Sequence, residues 1–396
     1  MTASDLPVIP MQRAAECPLA PPAEFQSWRD EPGLRRAVWN GELVWTISRY
    51  QDIRSALLDP RLSAETLPQL NTPSEDDTAP KVFARIDDPE HHRLRRMMTS
   101  QFTFRRCEAM RPEIQRLVDH YLDTMIAAGP PADIVRDFGL PVPSLVIALL
   151  LGVPTEDLEL FQHNTSVGLD VTSTEEQRVK CFGEMYAYIQ QLVARKENEP
   201  GDDLISRLLT EYVASAQLTR DTVAVNAVIM MQAGHETTAN MISLGTVALL
   251  ENPDVFRLLG QTDDAAVIAR AVEELMRYLT IVHAQVDRIA LEDLRIGGQL
   301  IRAGERVLMN LPAGNWDTEF APEPDKLDIH RHVRGHLAFG YGTHQCLGAN
   351  LARVEMQVAF STLARRLPGL RLAVPADELR FKDADIYGMK ELPVTW

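Results

Sequence analysis

A cysteine set among glycines is the most chemically pointed feature of this chain. In Phe339-Gly340-Tyr341-Gly342-Thr343-His344-Gln345-Cys346-Leu347-Gly348, glycines stand six and four residues before Cys346 and two after it. Glycines let a backbone fold tightly and turn N–H groups towards a sulfur. Leu347 to about Leu367 reads as a helix, whose positive end would favour a thiolate over a thiol. A thiolate in that setting can hold a metal, and Gly348 leaves space for a flat cofactor to come close. The plainer alternative is a buried structural cysteine in a glycine-rich turn.

Other constellations bear on the choice. Ala233-Gly234-His235-Glu236-Thr237-Thr238 interrupts a long apolar run. A mid-helix glycine costs about 1 kcal/mol relative to alanine. A threonine hydroxyl there can bond to a carbonyl one turn back and bend or open the helix. An acid and an alcohol placed deep inside, here Glu236 and Thr237, could relay protons; a kinked core helix is the alternative. The zinc-protease pattern HExxH fails, because Ala239 stands where the second histidine must be. His91 and Arg95 are four apart and share a helix face suited to a carboxylate. Glu274 and Arg277 form a possible i, i+3 pair, informative only because it lies about 70 residues before the cysteine. A zinc cluster of His330, His332, His336, His344 and Cys346 has workable spacing, but most of these residues have simpler surface roles.

In chain order, Asp87-Asp88-Pro89-Glu90-His91, Ala233 to Thr238, Glu274-x-x-Arg277-Tyr278-Leu279 and the Cys346 loop resemble cytochromes P450. The loop resembles their haem-thiolate segment F-G-x-G-x-H-x-C-x-G. The likeness runs from about Leu34 to Trp396. It is strongest to soluble actinobacterial enzymes that oxidise macrolides, other polyketides, sterol-like compounds and xenobiotics. It implies a mostly α fold with a small β region, one domain over residues 1–396, and haem b between the long helix and the cysteine loop. On that resemblance Cys346 is the axial iron ligand, with Phe339, Gly340 and Gly348 shaping its surroundings. His91, Arg95, Arg288 and His344 hold the propionates. Glu236 and Thr237 deliver protons to O2 at the haem. Glu274, Arg277 and Arg331 form the buried ion-pair network behind it. Asn315-Trp316-Asp317 departs from the Asn-Arg-Asp of many relatives.

The activity implied is insertion of one atom of O2, by hydroxylation or epoxidation, into a bulky apolar small molecule. A macrolide or related polyketide of antibiotic biosynthesis is the substrate expected, a xenobiotic or steroid-like compound the alternative. A haem-thiolate isomerase or peroxide user is disfavoured by the Glu236–Thr237 pair, and a non-catalytic partner protein by the retained Cys346. With no flavin or nicotinamide fingerprint in the chain, a ferredoxin and its reductase are the expected electron source. Arg93, Arg96, Arg105, Arg106 and Arg111 make a basic patch on which an acidic donor could dock.

These residues need elements to position them. The 396 residues are 45% hydrophobic and 24% charged, enough for a large core. The net charge of −16 argues against broad binding to nucleic acid or anionic membranes. No signal sequence or spanning run is evident and the four cysteines are scattered, so a cytoplasmic monomer is expected. Proline-rich residues 1–33 are expected to lie extended over the surface. Leu43–Ser48 reads as a strand and Arg49–Asp59 as a helix. Further helices are expected after Pro89, over Arg111–Gly129 and Leu140–Leu151, and twice within Thr155–Asn198. The longest, Thr219–Glu251, would span roughly 45–50 Å and, being apolar all round, should run through the middle. Ala265–Leu279 should be helical; 289–307 and 370–396 should be strands. The substrate pocket is expected from 62–83, 161–174, 228–233, 281–286 and 386–387. The acidic run Glu75-Asp76-Asp77 would meet an amino sugar or simply form a solvated tip.

Overall fold

A computed structural model describes residues 6–13, 17–66, 80–154, 157, 160, 163–164, 167, 173–382 and 384–396. The acidic run 75–77, and with it residues 67–79 of the expected pocket segment 62–83 and most of 161–172 of the segment 161–174, lie outside these residues.

Helices dominate. In chain order they are α1 (Glu24–Asp30), α2 (Tyr50–Leu58), α3 (Glu90–Thr99), α4 (Phe104–Ala109), α5 (Arg111–Ala128), α6 (Pro141–Leu151), α7 (Glu175–Asn198), α8 (Leu204–Leu208), α9 (Arg220–Glu251), α10 (Pro253–Gln261), α11 (Ala265–Leu279), α12 (Leu311–Asn315) and α13 (Ala349–Arg366). Local chemistry sets several of their ends. The Thr219 hydroxyl accepts from Thr222 N at 3.1 Å to start α9, and Pro253 fits the first turn of α10, where an N–H is not needed. Gly152 ends α6 in the left-handed region, at φ 74°.

α9 is buried on nearly all sides, as its uniform apolarity requires. It packs on α6, α7 and α13. At two crossings a glycine permits the approach. A Cβ on Gly234 would meet Ile147 of α6 at 3.2 Å, and one on Gly245 would meet the Phe360 ring of α13 at 2.3 Å. One large apolar core surrounds this helix, including Phe138, Ile242, Leu244, Val354 and Phe360.

The β region forms a second layer. β1 (Val8–Ile9), β2 (Arg35–Trp39), β3 (Glu42–Ile47), β4 (Leu62–Ser63), β6 (Asp287–Ala290) and β9 (Arg306–Met309) make one sheet in the order β1-β2-β3-β9-β6-β4. β3 and β9 are parallel, Val44 opposite Arg306, and β6 is antiparallel to β9, Arg288 opposite Val307. β7 (Leu294–Ile296) and β8 (Gln299–Ile301) form a hairpin. β5 (Ala132–Asp133) joins β10 (Arg371–Leu372) and β13 (Pro393–Thr395), while β11 (Arg380–Phe381) pairs with β12 (Met389–Glu391). A separate apolar cluster under the main sheet holds Ile47, Ile53, Val307 and Leu337.

The N-terminal expectation is corrected. Residues 1–33 are not simply extended: β1 pairs with β2, and α1 buries Phe25 and Trp28. Two aromatic residues three apart on one helical face outweighed the prolines, which lie on either side of the helix.

Candidate active site

The loop before α13 is held from several sides. Gly340 and Gly342 have φ of 69° and 77°, a region that side chains disfavour. A Cβ on Gly342 would also stand 2.9 Å from the Leu57 carbonyl oxygen of α2. Cys346 N donates to Phe339 O at 2.9 Å, closing the loop. Arg353 of α13 lies over the Phe339 ring at 4.5 Å and donates to Glu273 of α11 at 2.5 and 3.1 Å. The His336 imidazole makes a third bond to Glu273, at 3.1 Å. Ala338 N donates to Nδ1 of that ring, so the proton facing Glu273 is on Nε2.

Cys346 is a free cysteine that borders a cavity of about 360 Å³. Burial pushes the free thiol's pKa up. The Gly348 N–H and the charges of Arg95 and Arg353 pull the other way without overcoming it.

α9 forms another wall, with Ala233, Gly234, Thr237 and Thr238. The helix is continuous here, although Thr237 does bond back to Ala233 O at 2.5 Å. Glu236 is not among the lining residues. It is buried to one side, paired with Lys382 and accepting from Asn240 at 3.1 Å. Ile229, Met230, Met276, Ile281, Val282 and Val286 make most of the remaining wall apolar. Of the expected pocket segments, 228–233 and 281–286 thus contribute, as does Phe83 at the end of 62–83. Ile386 and Tyr387 stand behind this wall rather than in it: Ile386 bridges to Val282, and Tyr387 N donates to Ile281 O.

Basic groups converge at the rim. His91, Arg95, Arg288 and His344 all line the cavity, joined by Arg85. The His91 and His344 rings stack, with centroids 3.8 Å apart. Burial, then the charges of His91, Arg288, Arg95 and Arg85, hold the His344 pKa down at about 3. His91 Nε2 is buried without a hydrogen-bond partner among the described residues. This crowding of cations, with a buried nitrogen left over, fits a bound dianion such as the two propionates of a haem. Cys346 on the same cavity fits the iron.

Behind the loop, Arg277 donates twice to Glu274, and Arg331 Nε donates to Glu274 Oε1 at 3.3 Å. Trp316 fills the place of the expected charge: its indole N–H donates to Tyr278 O at 2.8 Å, and its ring lies 5.3 Å from that of Tyr278. The zinc alternative finds no support: no group of three or more potential ligands gathers among the described residues, and His336 is committed to Glu273. No helix among the described residues is long and apolar enough to cross a membrane.

Sequence reasoning missed several residues here. Arg85 lines the rim and donates to Asp287 at 2.7 Å. Glu355 lines the cavity with a buried Oε2 that has no partner among the described residues, and burial raises its pKa well above the usual carboxylate range. Its signal was present, since it is four residues beyond Leu351 on the buried face of α13. Lys382 carried no signal, being remote in sequence from Glu236.

A family model described as Cytochrome P450 matches residues 167–368. The chain is 46% identical to cytochrome P450 GfsF of Streptomyces halstedii, covering all of this chain and 97% of that one. It is 40% identical to a vitamin D3 dihydroxylase of Streptomyces griseolus, covering 99% and 98%. Its fold superimposes, with a TM-score of 0.90 at 37% identity, on a mycinamicin VIII C21 methyl hydroxylase of Micromonospora griseorubida crystallised with mycinamicin VIII, covering 99% and 100%.

Proposed function

The chain belongs to the cytochrome P450 family, and from that premise we propose that this monooxygenase inserts one oxygen atom into a macrolide or related polyketide. The observation that carries the reading is that Cys346 and Thr237 border one cavity whose wall is largely apolar away from its basic rim. Haem b bound there supplies an iron whose thiolate ligand donates electron density and favours O–O cleavage.

The chain's own residues do the rest. Cys346 is the ligand, on a loop shaped by Phe339, Gly340 and Gly348. His91, Arg95, Arg288 and His344 hold the propionates by charge-assisted bonds. Thr237 keeps a proton at Oγ1, bonded to Ala233 O, and hands it into the cavity as Glu236 supplies the next. The apolar wall excludes bulk water, so that protons enter only along this route. Met230 and Met276 let the wall adapt to a large ligand. Electrons come from a ferredoxin and its reductase, received on the face that carries Arg96 and Arg105.

Support for the substrate class comes from the relative named for mycinamicin VIII. The vitamin D3 dihydroxylase favours a second reading, a sterol-like substrate. Spectral titration of the haem-loaded protein separates them, because a ligand that displaces water from the iron changes its spin state. Macrolides should give the shift. A shift with secosteroids and none with any polyketide would overturn the substrate class.

A further inference from the structure

Glu236 immediately precedes Thr237 on α9, so its side chain projects about 100° around the helix from it. It leaves the cavity wall and enters a small polar site made with the C-terminal hairpin. Glu236 Oε1 accepts from Lys382 Nζ and, at 3.1 Å, from Asn240 Nδ2. Its Oε2 is buried without a partner among the described residues. The hairpin is seated tightly: Lys382 N donates to Gly388 O at 2.8 Å, and a Cβ on Gly388 would lie 2.1 Å from Asn240 Oδ1. The backbone that carries Lys382 is thereby locked onto α9.

Exposure separates the partners. The side chain of Glu236 is 4% exposed and that of Lys382 is 21% exposed, while Asn240 is buried. Lys382 is thus the hydrogen-bonded partner that meets solvent. The adjacent titratable group, His235, is buried, bonds to the Leu140 backbone and feels the charges of both Glu236 and Lys382.

We propose that Lys382 is a positioning residue for the proton relay, holding Glu236 outward and forming the mouth through which this buried carboxyl exchanges protons with bulk water. The inference rests on the reading that Glu236 supplies Thr237. Each proton that leaves Glu236 is replaced by one from solvent water at the lysine end, and the ammonium is unchanged over the cycle. A charged, hydrogen-bonded partner is needed because a carboxylate at that depth is otherwise uncompensated.

The test uses the haem-loaded full chain with K382M, K382R, E236Q and, as a control on the same hairpin, K390M. Infrared difference spectra follow the carboxyl band that E236Q abolishes. K382M should raise its midpoint by about one pH unit or more, with K382R and K390M resembling wild type. With a surrogate ferredoxin and reductase, the solvent deuterium isotope effect on nicotinamide oxidation should rise about twofold in K382M and be rescued by K382R. Should K382M fail to fold, the charge-neutral pair E236Q/K382M replaces it and should match E236Q alone. A further change in that pair overturns the proposal, as does a K382M protein that titrates and reacts like wild type. An isotope effect unaltered by E236Q would sink the relay itself, and the lysine's part with it.

Discussion

Glu274 and Arg277 are joined by two parallel hydrogen bonds of 2.8 Å, with both side chains fully buried. Arg331 and the Asp328 backbone N–H add further donors to Glu274, and Arg277 reaches Asn315 O at 3.2 Å. Removing one partner leaves a charge stranded in the core. Glu274→Gln or Arg277→Met is expected to destabilise the fold by about 3–5 kcal/mol. Arg277→Lys should recover little, because an ammonium cannot make the paired bonds. Urea unfolding of the three variants checks this.

Cys346→Ala removes the sulfur while leaving the loop's anchors at Leu57, Phe339 and Arg353 in place. The reduced protein under carbon monoxide should lose the far-shifted Soret band of thiolate ligation. Its unfolding midpoint should stay close to wild type.

Thr237→Ala removes the hydroxyl bonded to Ala233 O and opens the wall to extra water. Nicotinamide oxidation should continue, while product per reduced nicotinamide falls about tenfold and peroxide rises in its place. Unchanged coupling would remove Thr237 from the proton route.

Acid should unfold the protein in two windows. Burial, reinforced by the Lys382 charge and offset in part by Glu236, holds His235 near a pKa of about 4. The unfolded chain takes up that proton from about pH 6.5 downward. The folded state does not, so stability is full above about 6.5 and falls towards 4, by up to about 3 kcal/mol. Glu273 acts lower. Burial raises its pKa, but the bonds from His336 and Arg353 prevail and bring it to about 2. Its contribution is present above about 4.5 and lost as pH falls towards 2. Urea midpoints against pH should flatten in the upper window for His235→Gln and in the lower window for Glu273→Gln.

The basic face gives a kinetic prediction. Arg93 is paired with Glu90, Arg106 with Asp202 and Arg111 with Glu108. Arg96 and Arg105 are exposed and form no ion pair among the described residues. Arg96→Gln and Arg105→Gln should therefore slow reduction by ferredoxin more than Arg93→Gln or Arg106→Gln. The differences should shrink as salt is raised. Rates that ignore both charge and salt would place the donor elsewhere.

Much of this was legible in the residues themselves. The Cys346 loop, α9 and the Glu274–Arg277 pair each carry their signal within a few neighbouring positions. The convergence of Arg85 with His91 and His344 does not, because it brings the turn before α3 against the loop before α13, which lies far along the chain. Lys382 beside Glu236 is a contact between a strand hairpin and a helix 146 residues away, which no local spacing encodes. α1 was hidden for another reason: neighbouring prolines suggested an extended chain, and only packing of Phe25 and Trp28 decides for the helix.

The tight seat of Phe360 against Gly245 leaves α9 and α13 no freedom to slide past each other. New ligands in the course of descent must then be accommodated by side chains of the wall, as at Ile281, Val282 and Val286, which hang between a helix end and a short strand. Diversification of diet within this lineage should leave its record there, in a few interchangeable apolar positions, while the interlocked helices drift hardly at all.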